Sequence, residues 1–463
     1  MSLQCAGEPL TKEQESAVEA GAFALLERSG FRVLNEQCVE ALAAWGCRVD
    51  THAGVVRMSA ERIADVIAAA REFDAGSGTP QEDLGTPVGG IQPIFRDGNG
   101  EARLARADDL LQSLKIADEL DGVTSIGPPL TNSEADSRVE PVETLALLMK
   151  TCKRPLSAFD VPQPGLAHYL VRLGEIHTGQ PGSTHFLSGC YCITTPLTFG
   201  DRVCRCMLEK CAYGVAVMPT PMPISGANVP ISPLAAAVVG VAEMIAGWTV
   251  GLALNPESPL VGLICSGSLD MASGRARFSS MEAIWQDAGV VQVMGRRMGT
   301  PVGCAHNYTD AVEPGYPAVA DKLFKSLALS RFGAGVGRHQ GTLDAGKVYS
   351  NEQLALDIEL NDLLHRFEGG LPEEAQTMCE RMLEVGPDHH YPWLTDDSTL
   401  QDMRRMQWAA DLLRPERARD ILDRAHEKCE AALARYTQPA LSAGQVAEID
   451  KVVEAARRDL MPA

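Results

Sequence analysis

Between Leu260 and Asp357, three short apolar runs each end in polar residues. Leu260–Cys265 leads into Ser266, Ser268 and Asp270. Thr300–Ala305 leads into His306, Asn307, Tyr308 and Asp310, and Phe332–Gly337 into Arg338, His339 and Gln340. Segments of helical spacing begin near Ser279 and Pro317. A short buried strand, a polar loop and a helix, repeated, is the pattern of a parallel β/α architecture. Loops that follow the strands of such a fold form its active face, so these three loops are read as the floor of a small-molecule site.

The rhythm extends upstream. Val123–Pro128, Pro155–Phe159, Thr184–Thr194 and Ala216–Pro223 read as further strand-and-loop units. Helices at Val142–Cys152, Gly165–His177, Asp201–Tyr213 and Leu234–Leu254 fill the intervals. Ile91–Arg96 and Ala102–Leu104 read as a hairpin around Asp97-Gly-Asn-Gly100. Counting the Ile91 region, about eight strands result, the number that closes a TIM-type (β/α)8 barrel. An open doubly wound sheet is the competing topology, but its early Gly-rich phosphate turn is missing.

Residues 1–89 read as an N-terminal helical layer. Thr11 and Gln14 form a capping box, Gly30 is a stop, and Ser59 is an N-cap; the stretch Gly76–Gly90 reads as a linker. The barrel spans 90–370. Residues 371–463 form a C-terminal helical extension of four segments, with a loop holding His389, His390, Tyr391 and Trp393.

With 61 carboxylates against 41 Lys and Arg, the chain is a poor match for nucleic acid or anionic membranes. No uninterrupted apolar run approaches a bilayer span, since Gly240, Glu243 and Gly247 break the most apolar helix. The N-terminus lacks a signal-peptide pattern. Thirteen cysteines without regular spacing fit reduced thiols in a cytoplasmic protein.

Several candidates carry chemistry. Gly341–Lys347 has phosphate-loop spacing, but Val348 stands where a magnesium-holding hydroxyl is needed. Cys190-x-Cys192 and Cys204-x-Cys206 lack zinc-knuckle spacing. Cys304, His306 and His339, with Asp270 or Asp310, could ligate zinc, although no paired histidine spacing supports it. Tyr191 and Tyr308 fall in the loops and could face a quaternary ammonium group by cation–π attraction, worth on the order of 1–2 kcal/mol when desolvated. Asp270 could balance such a cation. Glu243 lies inside an apolar helix, where a carboxylate is costly unless paired or functional.

Taken in order, Leu25-Leu-Glu-Arg-Ser-Gly-Phe31, Ala43-Ala-Trp-Gly-Cys-Arg-Val-Asp50 and Met218-Pro-Thr-Pro-Met-Pro-Ile-Ser-Gly-Ala227 carry a resemblance to a known family. So do Ala242-Glu-Met-Ile-Ala-Gly247, Asn255-Pro-Glu-Ser-Pro259 and Ser268-Leu-Asp-Met-Ala-Ser-Gly274. The chain resembles the trimethylamine methyltransferase family, in its branch without pyrrolysine, which includes glycine betaine:corrinoid protein methyltransferases.

The resemblance implies a TIM-type barrel with added helices. It also implies methyl transfer from a small quaternary amine to the cobalt(I) of a separate corrinoid protein. In the trimethylamine enzymes pyrrolysine occupies the loop that resembles His306–Asp310, where this chain carries Tyr308. No Asp-x-His-x-x-Gly cobalamin-ligand motif occurs here, so the corrinoid is expected on the partner and no cofactor or metal in this chain. Tyr308 and Tyr191 are expected to face the cation, Asp270 to balance it, and His306, His339 and Asn307 to anchor a carboxylate, with Ser266 beside them. No catalytic base is required. The alternatives are a zinc-dependent methyltransferase of similar barrel fold and a non-catalytic betaine-binding protein. The C-terminal helices could pack on a second subunit of a homo-oligomer.

Overall fold

The computed structural model describes residues 7–76, 85–370, 375–387, 390–397, 399–400 and 410–461. Parallel strands follow one another through it in chain order. Thr86–Val88 pairs with Val123–Ile126, Ile126 bridges to Leu156, and Phe159 to Leu187. Cys190–Cys192 pairs with Met218–Thr220, Val217 bridges to Leu260, and Leu263–Ile264 pairs with Gly303–Cys304. Parallel neighbours need long crossovers. Helices supply them at Ala107–Glu119, Glu140–Thr151, Ala167–Thr178, Asp201–Ala212, Pro233–Leu254, Met281–Gln292, Tyr316–Arg331 and Asn351–Gly369. The chain is thus an α/β protein.

Segment 336–340 lies against both ends of the row. A β-carbon on Gly337 would stand 2.1 Å from His306 Cβ. Asn361 Nδ2 donates to His339 O and to Thr86 Oγ1, each at 2.8 Å.

Local chemistry sets the helix starts. Thr11 and Gln14 complete their capping box, and the side chains of Ser59, Ser232, Ser280 and Ser350 each accept a backbone N–H of the turn that follows. These bonds satisfy donors that a helix start otherwise leaves open.

Two strand expectations change. The first strand of the row is Thr86–Val88, inside the stretch read as a linker; at three residues including Pro87 it is too short to show a pattern. Ile94–Arg96 does form the expected hairpin with Ala102–Leu104, but its parallel partner is Val348–Tyr349 rather than a strand of the row. Phe332–Gly337 is not a strand. The Tyr316–Arg331 helix ends there, with Gly333 and Gly335 at φ 90° and 70° turning the chain. Gly341–Lys347 holds the strand Thr342–Leu343 and the turn that leads it back into antiparallel pairing with Val348–Tyr349.

The Pro233–Leu254 helix is long and apolar enough to cross a membrane, but 83% of its most apolar window is buried inside the protein. The helices Lys12–Ala24, Glu36–Ala44 and Ala60–Gly76 pack on it. Between them Phe31–Val33, Val55–Arg57 and Arg48–Asp50 pair antiparallel in a small sheet that the helical reading missed, and Thr198–Phe199 joins its edge in parallel with Phe31–Val33. Elsewhere, Ile421–Ala434 covers Ala107–Glu119, and Ala443–Leu460 covers Glu140–Thr151 and Ala167–Thr178. Ala375–Val385 also forms as expected. His389 and most of the 399–413 segment lie outside the described residues.

Glu243, inside that long helix, is fully buried. Its Oε1 accepts Leu197 N at 2.6 Å and its Oε2 accepts Thr195 Oγ1 at 2.9 Å. Burial pushes its carboxyl up to about 7. This carboxylate holds the 195–197 turn, the paired outcome of the two the sequence left open.

Candidate active site

Side chains on a strand alternate between its faces, and in this row that alternation decides which residues can meet a ligand. Cys190–Cys192 lies in register with Met218–Thr220. Tyr191 and Pro219 face out toward the helices. A β-carbon on Gly247 would meet Pro219 Cγ at 2.4 Å, and the Tyr191 ring carries the Lys210 ammonium 4.0 Å from its centroid. Cys190, Cys192, Met218 and Thr220 take the other face, where Cys190 Sγ lies 3.1 Å from Thr220 Oγ1. On that face Cys192, Ala158 and Gly303 are exposed although they sit within the sheet. Small, accessible residues there leave open space, a hollow at the centre of the row.

Tyr308 reaches into the hollow from the loop after Gly303–Cys304. Burial pushes its phenol up, and the thiols of Cys265, Cys192 and Cys190 stand close enough to add to the effect. Its ring rests on Phe278, with centroids 5.5 Å apart and planes at 32°. Behind it stands Gly346, at φ 83°, where a β-carbon would sit 2.3 Å from Tyr308 Cε1. Only glycine satisfies both the left-handed turn and that approach.

Asp160 brings the charge. Its Oδ1 accepts Val161 N at 2.8 Å and Lys210 Nζ at 3.3 Å, and the side chain keeps 30% of its surface exposed. Lys210 is buried, and its Nζ also donates to Ser188 O at 3.0 Å and Cys190 O at 2.8 Å. One lysine therefore ties the ends of two neighbouring strands together and leaves Asp160 partly open. Asp160, Cys190, Cys192, Thr220, Cys265 and Tyr308 come from the ends of five successive strand units.

Most of the residues expected at the site face away from it. Ser266 is buried against the Met281–Gln292 helix, its N–H donating to Asp287 Oδ1 at 2.8 Å. Tyr191 already stacks on an internal cation. His306 donates from Nδ1 to Cys304 O at 2.8 Å, and burial, then the Lys325 ammonium, lowers its ring to about 4. His339 shares a 2.9 Å hydrogen bond between Nε2 and Ser326 Oγ, and its N–H donates to Asn361 Oδ1. Burial and then Lys322 hold its ring well below the usual histidine range. Both histidines are neutral at pH 7 and point toward the helices, so neither is placed to anchor a substrate carboxylate.

Asp270 lies on the Gly267–Asp270 hairpin with Arg275–Arg277. Its carboxylate accepts Ser273 Oγ at 2.6 Å, Ala272 N at 3.0 Å and Arg277 Nη2 at 3.4 Å. It borders a separate cleft of about 760 Å³ with Asp310 and Asp321. Asn307 stays half-buried beside Tyr308. Of the expected set, only Tyr308 is seen to reach the hollow; Asn307 precedes it in the same loop.

Of the proposed zinc ligands, Cys304, His306 and His339 share the outward face, while Asp270 and Asp310 border the separate cleft. Lys325 stands near Cys304 and His306 and donates to Ala305 O at 2.8 Å. Among the described residues no group of three or more His, Cys, Asp or Glu is placed to hold a metal.

Comparison with known proteins adds a second line. Residues 4–462 match the family described as "Trimethylamine methyltransferase (MTTB)". The chain is similar to the trimethylamine methyltransferase of Methanosarcina barkeri, strain Fusaro, at 24% identity over 276 residues, covering 57% of this chain and 54% of that one. The aligned stretch thus spans about half the length of that relative. The trimethylamine methyltransferase of Desulfitobacterium hafniense is 20% identical over 461 residues, 96% of this chain and 92% of its own. A proline betaine:corrinoid methyltransferase of Eubacterium limosum is 23% identical over 381 residues, 76% and 77% of the two chains. Among solved structures, the monomethylamine methyltransferase of M. barkeri superposes with a TM-score of 0.50 at 13% identity, covering 98% of this chain and 88% of that one. That likeness concerns the fold.

Proposed function

The chain belongs to the trimethylamine methyltransferase family, and on that premise we propose that it moves a methyl group from a small, betaine-like quaternary amine to the cobalt(I) of a separate corrinoid protein. The observation that carries this reading is the family match over residues 4–462. We also infer that the parallel row closes with segment 336–340 as an eight-stranded TIM-type barrel, whose lumen is the hollow.

Cobalt(I) supplies the nucleophile. The leaving group is a neutral tertiary amine, so no protein base or nucleophile is called for. The work of this chain is binding, orientation and exclusion of water. Tyr308 presents a ring face to the methylated ammonium, and Asp160, partly offset by Lys210, supplies the negative charge on the far wall. Asn307 offers an amide to the anionic end of a betaine. Ala158 and Gly303 leave room for the methyl groups. Pyrrolysine chemistry has no counterpart at Tyr308, which favours an already quaternised amine over trimethylamine. The extra C-terminal helices give a surface on which a second copy could pack, and the carboxylate-rich composition favours a cytoplasmic, nucleic-acid-free setting.

Mixing the protein with a cobalt(I) corrinoid protein and a panel of betaines tests the reading, with methyl–cobalt absorbance as the readout. Methyl transfer from a quaternary amine is expected. No transfer from any quaternary amine or sulfonium compound removes the reading, and tight binding without turnover beside a competent partner points to a binding protein instead.

A further inference from the structure

A cavity of about 300 Å³ opens where the loops after Val123–Ile126 and after Phe159 meet the first turn of the Glu140–Thr151 helix. We propose that it is a second site, separate from the hollow, for a small protonated tertiary amine. On the reading that the chain demethylates a quaternary amine, this is the class of product that the reaction leaves, and the cavity receives it.

Two carboxylates line the cavity. Glu140 is only 8% exposed. Its Oε1 accepts Asn132 N at 2.9 Å and Thr144 Oγ1 at 2.8 Å, and its Oε2 has no hydrogen-bond partner among the described residues. A buried acceptor without a donor is costly, so the free oxygen calls for a donor from a guest. Burial also raises the Glu140 carboxyl, a penalty on its charge that a nearby cation relieves. Asp160 is the second carboxylate and forms the wall shared with the hollow. Lys210 offsets part of its charge, which leaves Glu140 the less compensated of the two.

The rest of the wall decides what kind of cation fits. Ile91, Pro128, Pro141 and Phe159 present apolar surface, and no lysine, arginine or histidine is among the described residues that line the space. A divalent metal ion finds too few oxygen ligands there, and an anion meets two carboxylates. An alkylammonium ion keeps its proton at neutral pH, as a lysine does. Its N–H donates to Glu140 Oε2 in a charge-assisted bond, while its alkyl groups cover the prolines and the Phe159 ring. A quaternary ion has no N–H and cannot satisfy that oxygen. The amine leaves methyl transfer neutral and takes its proton from solvent. One proton therefore sorts the two spaces: Tyr308 offers a ring to a cation without a donor, and the cavity offers an acceptor to a cation that has gained one.

The full chain is titrated by calorimetry, without corrinoid, with N,N-dimethylethylammonium chloride. Saturable binding is expected, and Glu140→Gln should weaken it about tenfold. Gln keeps an oxygen for Asn132 and Thr144 but puts an amide N–H where the guest's donor belongs. Ser137→Phe, at an exposed position on the rim, should fill the space and weaken binding by a similar factor with folding intact. Tyr308→Leu should leave the affinity unchanged. No saturable binding overturns the proposal. So does an affinity that either cavity variant leaves unchanged, or one that Tyr308→Leu lowers as far as Glu140→Gln does. Because corrinoid is absent, a failure of methyl transfer from every amine leaves these results standing and removes only the cavity's role in receiving product.

Discussion

The two faces of the parallel row use polar groups in opposite ways. Behind Gly303–Cys304 and segment 336–340, titratable side chains are dense and committed to one another. Lys322 Nζ meets Asp357 Oδ2 at 2.5 Å with both side chains fully buried. The same Asp357 accepts Gly341 N and Gln353 Nε2, each at 2.7 Å. Lys325, His306, His339 and Asn361 fill the rest of that layer. On the inner face there are few such groups, and Tyr308, Cys192 and Asp160 keep surface to spare. The richest cluster of ionisable residues is therefore scaffolding, and the candidate site lies where groups are left uncommitted. A buried charge without a partner is costly, and in this network Lys322 is held by Asp357 and Lys325 by Ala305 O. His306 Nε2 and His339 Nδ1 have no hydrogen-bond partner among the described residues.

The largest expected effect comes from opening that network. Lys322→Met strands Asp357 and should cost about 3–5 kcal/mol of stability, read from denaturant unfolding. A loss under about 1 kcal/mol would erase the contrast between the faces. Next is the carboxylate under the 195–197 turn. A carboxyl raised from 4.5 to about 7 on folding binds more protons in the folded state than in the unfolded one. Its contribution is then most favourable below pH 4.5 and declines as pH climbs toward 7. The full drop is roughly 3 kcal/mol. Glu243→Gln should flatten that slope, because Gln can accept from Leu197 N while donating to Thr195 Oγ1; an unchanged slope would contradict the assignment.

A smaller effect separates the two tyrosines. Tyr308→Leu should lower kcat/KM for a quaternary amine by about 5- to 30-fold, the equivalent of 1–2 kcal/mol of lost cation–π attraction, while an apolar side chain still packs on Phe278. Tyr191→Leu should do the reverse, removing the stack on Lys210 and lowering stability by about 1 kcal/mol while sparing substrate affinity. Equal effects of both on KM would mean that strand alternation is not what sorts them. The smallest effect is Asp270→Asn. On an exposed hairpin, already tied to Ser273 and Arg277, it should leave the unfolding midpoint almost unmoved and KM within about twofold.

Much of this was legible in the residues. Thr11 with Gln14, and Ser59, mark helix starts through their own side chains, and the hairpin around Asp97–Gly100 is written in its turn residues. Strand positions such as 190–192, 218–220 and 263–264 also stand out as apolar runs between helices. What the pattern does not encode is parity. A parallel strand buried on both faces shows no polar–apolar alternation, so aromatic and histidine residues at strand ends drew the eye to Tyr191, His306 and His339. Their neighbours face the hollow. The order Cys190-Tyr-Cys192 beside Met218-Pro-Thr220 held the missing signal, since Pro219 and Tyr191 are paired in register on the face that packs against the long helix. Asp160 and Lys210 lie fifty positions apart and announce themselves only through the fold.

The inner wall has a consequence for how such a protein can change its diet. Ala158 and Gly303 line the hollow with little or nothing beyond the backbone, so nearly every substitution there adds bulk. Preference among amines can therefore narrow by single steps, one methyl at a time. Broadening it again requires giving up a larger residue such as Met218 or Tyr308, and with Tyr308 the proposed contact to the cation goes too. Variation within this architecture should be a ratchet toward smaller guests.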